Sequence, residues 1–256
     1  MSGLDVSVNG AVAKLVYDRP DVLNALSPEL LGDLIDACAE LAANEAVKVV
    51  VFTGAGGNFS AGADLPAFLA QIGGGDPHAT ADLGRRATNA VADLPQITVA
   101  AIRGHCVGGG LVLAGACDVR IGAEDTRFLV PELDAGIPLA WGGMKHLVRL
   151  VGETLTADLV LSCRPFGAEE ALQGGLISRV VSVDHFQAEV DELVAAVVRK
   201  PMSVLRVTKQ QLRAIREKRF DARNDASALL GSLADPEART LGQAYVASRI
   251  RDSESG

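Results

Sequence analysis

Two glycine-rich stretches carry the residue types and spacing that could do chemistry. Gly54-Ala55-Gly56-Gly57-Asn58-Phe59-Ser60-Ala61-Gly62-Ala63-Asp64-Leu65 follows an apolar run over residues 47–53, and Gly104-His105-Cys106-Val107-Gly108-Gly109-Gly110 follows another over 97–102. After the second, residues 111–116 are small and apolar without a break, which suits a buried helix. Consecutive glycines let backbone come close to a ligand, and the first N–H groups of a helix lack intrahelical acceptors. With the helix dipole behind them, such donors stabilise negative charge. Two backbone donors converging from separate loops would form an oxyanion hole. Two other readings stand beside this one. The glycines of the second stretch could serve only a tight turn and close helix packing. Gly54-x-Gly56 after a strand could open a dinucleotide loop, although its third glycine would fall at Phe59, where no helix-forming run begins.

The elements that must position these loops read as alternating strands and helices. Val6-Ser7-Val8 and residues 12–17 flank Asn9-Gly10, a hairpin signal. Ser27-Pro28 reads as a cap and first helical position, and Leu30, Leu31, Leu34, Ile35, Cys38 and Leu41 follow at helical spacing. Residues 47–53 and 97–102 are continuous in apolar residues, as in strands covered on both faces. Residues 71–86 are polar and glycine-rich, the pattern of a mobile segment, and lead into a helix over 87–94. Short strands are expected at 119–123 and 127–130, helices at 143–151 and 155–161, and a last strand at 177–183. Beyond Asp184 the pattern is helical to the end. The fold class is α/β with a helical layer appended, divided into a core over 1–183 and a helical region over 184–256.

Composition narrows the function. The chain has 256 residues, 48% of them apolar and only 4% aromatic, so its core is aliphatic and alanine-rich. A formal net charge of −8 and the absence of a basic run argue against nucleic acid as a partner. Cys38, Cys106, Cys117 and Cys163 form no C-x-x-C pair and read as reduced core residues; no zinc or other metal site is expected. Neither a signal peptide nor a membrane span is legible, so the expected location is the cytoplasm.

Several motifs together resemble the crotonase (enoyl-CoA hydratase/isomerase) superfamily. They are Arg19-Pro20 with Asn24-Ala25-Leu26, the run from Asn58 to Leu65, Gly104 to Gly110, Pro131-Glu132, and Arg164-Pro165-Phe166 with Ala168-Glu169-Glu170-Ala171. They occur in the family's order along most of the chain. The resemblance implies a spiral of repeated β-β-α units with a C-terminal helical region used for trimerisation. It implies an acyl-CoA substrate, a homotrimer or dimer of trimers, and no cofactor other than the coenzyme A that enters with the substrate. By position, the oxyanion donors it implies are the N–H groups of Ala63 and Gly109. Such donors are typically worth about 3–4 kcal/mol each on a developing enolate. It further implies that backbone around Ala61, Asp64 and Leu65 holds the adenine end of coenzyme A, and that Val22 and Leu23 lie near its pantetheine and nucleotide portion. Asp21 stands where many relatives carry a basic residue.

One position departs from the hydratase pattern. Hydratases of this family use two glutamates to hold and activate water; the second is Glu132 here, whereas the first position is Val112. One carboxylate beside an oxyanion hole suits proton transfer between two carbons of the substrate. The expected activity is therefore isomerisation of 3-enoyl-CoA to 2-enoyl-CoA, with Glu132 the catalytic base. A hydratase working with one glutamate and a non-catalytic acyl-CoA-binding subunit are the alternatives. Asp134 is expected at the surface and His105 in a buried, hydrogen-bonded position. The acyl pocket is expected to be shaped by residues 67–92.

Overall fold

The computed structural model describes residues 3–74, 76–218 and 225–244. Its first element is the hairpin of β1 (Leu4–Asn9) and β2 (Val12–Tyr17). Asn9 pairs with Val12, so the turn residues are Gly10 and Ala11 rather than Asn9-Gly10, with Gly10 at φ +56°. Beyond this antiparallel pair, β3 (Val49–Gly54), β4 (Ile97–Ile102), β6 (Val119–Ala123) and β9 (Arg179–Val181) add in parallel, giving the order β1-β2-β3-β4-β6-β9. The last strand is shorter than the expected 177–183.

A second sheet of β5 (His105–Val107), β7 (Arg127–Leu129) and β8 (Phe166–Gly167) holds the short strands. Isolated parallel bridges Leu26↔Ala63 and Ser60↔Cys106 continue its pairing into the earlier loops. Each turn of the chain thus contributes a strand to the large sheet, a strand or bridge to the small one, and then helix. That repeat is the β-β-α spiral. Cys106, Phe128 and Phe166 pair across the small sheet and are buried, and the two rings stack at 5.2 Å.

The helices follow from capping and apolar spacing. In α1 (Pro28–Ala43) Leu30 N–H donates to Ser27 Oγ at 3.2 Å, and Leu30, Leu31, Leu34, Cys38 and Leu41 are buried. The stretch expected to be mobile is largely helical: residues 71–74 end α2 (Leu65–Gly74) and residues 77–86 begin α3 (Pro77–Asp93). Asp76 accepts the N–H groups of His78 and Ala79 with Pro77 following, the same cap-then-proline arrangement as Ser27-Pro28. The polar surface of the first half of α3 hides that half from a reading by hydrophobicity alone. The short α4 (Gly109–Ala116) is buried at all eight positions. The expected helices at 143–151 and 155–161 meet as α5 (Gly143–Ser162), broken at Gly152 where φ is +78°. Then come α6 (Ala168–Gln173), α7 (Phe186–Val198), α8 (Met202–Arg216) and α9 (Asp225–Ala234). The chain forms two compact units, Met1–Glu192 and Leu193–Gly256, divided within α7. All four cysteines are free and buried.

One buried side chain ties the first glycine loop down. Asn24, fully buried at φ +59°, donates from Nδ2 to the carbonyls of Ala55 (2.9 Å) and Asn58 (2.6 Å). Its Oδ1 accepts Arg19 N–H at 2.9 Å, and its own carbonyl accepts Ser60 Oγ–H at 2.9 Å. Asparagine tolerates left-handed backbone better than most residues, so type and conformation agree. Asn24→Ala is expected to cost about 2–3 kcal/mol in urea unfolding, because it orphans buried groups. Asn24→Asp should cost at least as much, since a carboxylate would face two carbonyl oxygens. A loss below about 0.5 kcal/mol for either would contradict this role.

Candidate active site

The first glycine loop is registered against the chain before α1. Ala61 N–H donates to Leu23 O at 2.8 Å, Leu26 N–H to Gly62 O at 2.8 Å, and Asp64 N–H to Leu26 O at 3.0 Å. In this parallel bridge the residues flanking Ala63 make the hydrogen bonds, so Ala63's own N–H faces away from Leu26. Arg19 clamps the end of the loop through Asp64 at 2.9 Å. Val22 and Leu23 lie beside Ala61 and are exposed. Leu65 is also exposed, at the start of α2.

The second loop ends at Gly108, whose backbone (φ +48°, ψ −119°) is open to glycine alone without strain. Gly108 N–H donates to Leu129 O at 2.9 Å, and the ladder of α4 begins with Val112 N–H on Gly108 O at 3.0 Å. Gly109 therefore heads the helix with a free N–H. Among the described residues, neither the Ala63 N–H nor the Gly109 N–H has an acceptor. The two loops touch: a Cβ on Gly62 would lie 2.9 Å from Val107 O and 3.6 Å from the Gly109 nitrogen. The geometry brings together the two donors named from the sequence.

Glu132 completes the constellation. Its Oε1 lies 2.6 Å from where a Cβ on Gly108 would be, so any side chain at 108 would collide with the carboxylate. Oε2 is buried without a hydrogen-bond partner. Burial raises the Glu132 pKa, and its own backbone N–H opposes the shift only in part. The segment around it is held by turns, with Ile137 N–H donating to Glu132 O at 3.0 Å.

Ala63, Gly109, Val112 and Glu132 line one cavity of about 280 Å³. Its remaining walls are apolar, from Leu65, Phe68, Leu69 and Ile72 of α2, Ala81 of α3 and the segment Ile137 to Trp141. Among the described residues, Glu132 is the single ionisable side chain that lines the cavity. Val112 is buried and packs on Gly143, where a Cβ would lie 2.7 Å from Val112 Cγ2. Asp134 is exposed and does not line the cavity. Such a site can hold a carbonyl oxygen on two backbone donors and move a proton at a neighbouring carbon in dry surroundings.

His105 is corrected by the structure. It is exposed, not buried: β5 alternates, so Cys106 turns into the core and His105 outward. Its ring Nδ1 lies 2.8 Å from Asn58 Oδ1, which also accepts His105 N–H at 3.0 Å. Trp141 was not singled out by the sequence, although its ring forms a cavity wall. It stands at φ +57° and packs on Gly84 and Gly109, and no short-range pattern marks such a contact. Among the described residues, no group of three or more His, Cys, Asp or Glu side chains is placed to hold a metal ion, and no helix is long and apolar enough to cross a membrane.

Comparison with known proteins gives the family. Residues 7–244 match the enoyl-CoA hydratase/isomerase family model. The chain is 35% identical over 178 residues to a "Probable enoyl-CoA hydratase" of Bacillus subtilis, covering 70% of this chain and 69% of the relative. It is 31% identical over 199 residues to a "Crotonyl-CoA hydratase" of Syntrophomonas wolfei, covering 77% and 76%. Among solved structures, an enoyl-CoA hydratase of Bacillus anthracis superposes with a TM-score of 0.88 at 27% identity, over 96% of each chain. A Thermobifida fusca protein solved in complex with acetoacetyl-CoA superposes with a TM-score of 0.82 at 31% identity, over 91% of this chain and 95% of that one. By sequence and by fold, the chain belongs to the enoyl-CoA hydratase/isomerase family.

Proposed function

We propose that this enzyme moves the double bond of a 3-enoyl-CoA thioester to the 2-position, with Glu132 as its one proton carrier. The observation that carries the reading is the cavity's single ionisable side chain, with buried Val112 where a second carboxylate would be needed to activate water. Glu132 takes a proton from C2. The resulting dienolate places negative charge on the thioester oxygen, which the N–H groups of Ala63 and Gly109 receive. Glu132 then returns the proton at C4, leaving a conjugated C2=C3 bond. Because burial raises its pKa, Glu132 is a stronger base than a solvated glutamate once ionised. The coenzyme A portion is assigned to Val22, Leu23, Ala61, Asp64 and Leu65, of which Val22, Leu23 and Leu65 are exposed and Leu65 also lines the cavity. The complex of the Thermobifida fusca relative with acetoacetyl-CoA supports an acyl-CoA ligand. The names of the Bacillus subtilis and Syntrophomonas wolfei relatives favour a second reading, hydration of 2-enoyl-CoA with one glutamate.

Side-by-side incubation with a 3-enoyl-CoA and a 2-enoyl-CoA, with products resolved, separates the two. Isomerisation without formation of a 3-hydroxyacyl-CoA supports the proposal. Hydration at kcat/KM of about 10⁶ M⁻¹s⁻¹ or more replaces it with the hydratase reading.

Glu132→Gln should retain acyl-CoA binding and lose about 10²-fold or more in kcat. It should also stabilise the fold in a pH-dependent way. A carboxyl with a raised pKa in the folded state contributes stability below its ordinary value near 4.5 and loses it as pH rises through the raised value. The glutamine variant should therefore melt above the parent at about pH 8, and the gap should close by about pH 4. A gap that is absent or reversed at the higher pH would contradict the burial argument.

Val112→Glu would place a second carboxylate on α4 within the same cavity. The change costs apolar packing against Gly143, and a stability loss of about 1–3 kcal/mol is expected. Hydration of 2-enoyl-CoA should nevertheless rise at least about tenfold over the parent. No increase in a folded variant would show that residue 112 does not select the reaction.

The same proposal extends to assembly as a homotrimer or a dimer of trimers. Within the second unit Leu212, Ile215, Leu229 and Leu230 are 41–67% exposed, more apolar surface than a solvated helical layer usually shows. Light scattering at micromolar concentration should give a trimer or hexamer mass, and an active monomer would contradict it.

A further inference from the structure

We propose that Trp141 determines specificity at this site, making the cavity select acyl groups by their width beside the thioester: unbranched aliphatic chains enter, and groups branched or cyclic next to the thioester do not. The inference rests on the acyl-CoA reading above. Three features of the chain accommodate this one ring. Trp141 adopts φ +57°, a strained conformation for a bulky residue. A Cβ on Gly84 would lie 1.9–2.2 Å from its indole atoms, and a Cβ on Gly109 would lie 2.2–2.8 Å from them. The ring is therefore wedged between α3 and the head of α4, directly against the residue that supplies an oxyanion donor. Across from it stands Phe68 of α2, with ring centroids 5.9 Å apart and planes inclined by 39°. Strain of this kind persists where surrounding packing fixes it, and here the fixed object is the wall of the reaction cavity.

Ala81 and Leu69 line the same cavity and are exposed, Leu69 to 68%. Width is set beside the oxyanion donors, where a branch or ring on the acyl group would have to sit.

The test uses saturated acyl-CoA thioesters, which cannot isomerise or hydrate, so binding is read apart from turnover. Calorimetry would compare hexanoyl-CoA and cyclohexanecarbonyl-CoA on the parent, Trp141→Phe and Trp141→Ala. The parent should bind hexanoyl-CoA about tenfold or more tighter than cyclohexanecarbonyl-CoA. The straight-to-cyclic ratio should fall in the order Trp, Phe, Ala. If the alanine variant does not fold, the step from Trp to Phe decides. Equal binding of the straight and cyclic thioesters by the parent, or an unchanged ratio in a folded variant, overturns the proposal. Failure to bind either thioester overturns the acyl-CoA reading together with it, which distinguishes the two failures.

Discussion

The carboxylate of Glu132 occupies the space that a side chain at residue 108 would fill. A Cβ at that position would lie 2.6 Å from Oε1. The same glycine turns the chain, at φ +48° and ψ −119°, into the first turn of α4. One missing side chain thus fixes two things. It lets the backbone make the turn that presents the Gly109 N–H, and it lets the Glu132 carboxylate come up beside that turn. The loop carrying Ala63 must then be brought to the same point. Asn24 and Ser60 do this through buried hydrogen bonds, reinforced by the bridge Leu26↔Ala63.

The site works against stability in a recognisable way. A carboxylate in an apolar cavity, with one oxygen unpartnered, is disfavoured in its charged form, and its pKa rises. On the proposed mechanism, the same surroundings strengthen the interaction between backbone donors and a developing oxyanion. Val112 and Trp141 add to the dryness, and Trp141 does so from a strained backbone conformation. Cost and function therefore arise from the same packing.

Much of this was legible in local sequence, because the signals concerned are local. The cap at Ser27, the buried strand Ile97–Ile102, the glycine turns and the break near Gly152 depend on residues close together in the chain. A reading by hydrophobicity finds only the second half of α3, over 87–94, although Asp76-Pro77 carries the same start signal as Ser27-Pro28, because the polar face of its first half outweighs the cap. His105 was misplaced because a strand of three residues gives too short an alternation to fix which side faces out. The pairing of Glu132 with Gly108, and of Trp141 with Gly84 and Gly109, depends on contacts between distant segments. Residue types imply such contacts only through family resemblance, and for Trp141 no such implication was available.

The central claim is that one carboxylate carries one proton from C2 to C4. It is tested most directly with a 3-enoyl-CoA carrying deuterium at C2, converted in ordinary water enriched in oxygen-18 and sampled at early turnover. A single-carboxylate shuttle predicts that part of the deuterium is retained at C4 of the 2-enoyl product and that no oxygen-18 appears. Complete loss of deuterium to solvent together with an oxygen-18-labelled 3-hydroxyacyl product would contradict it.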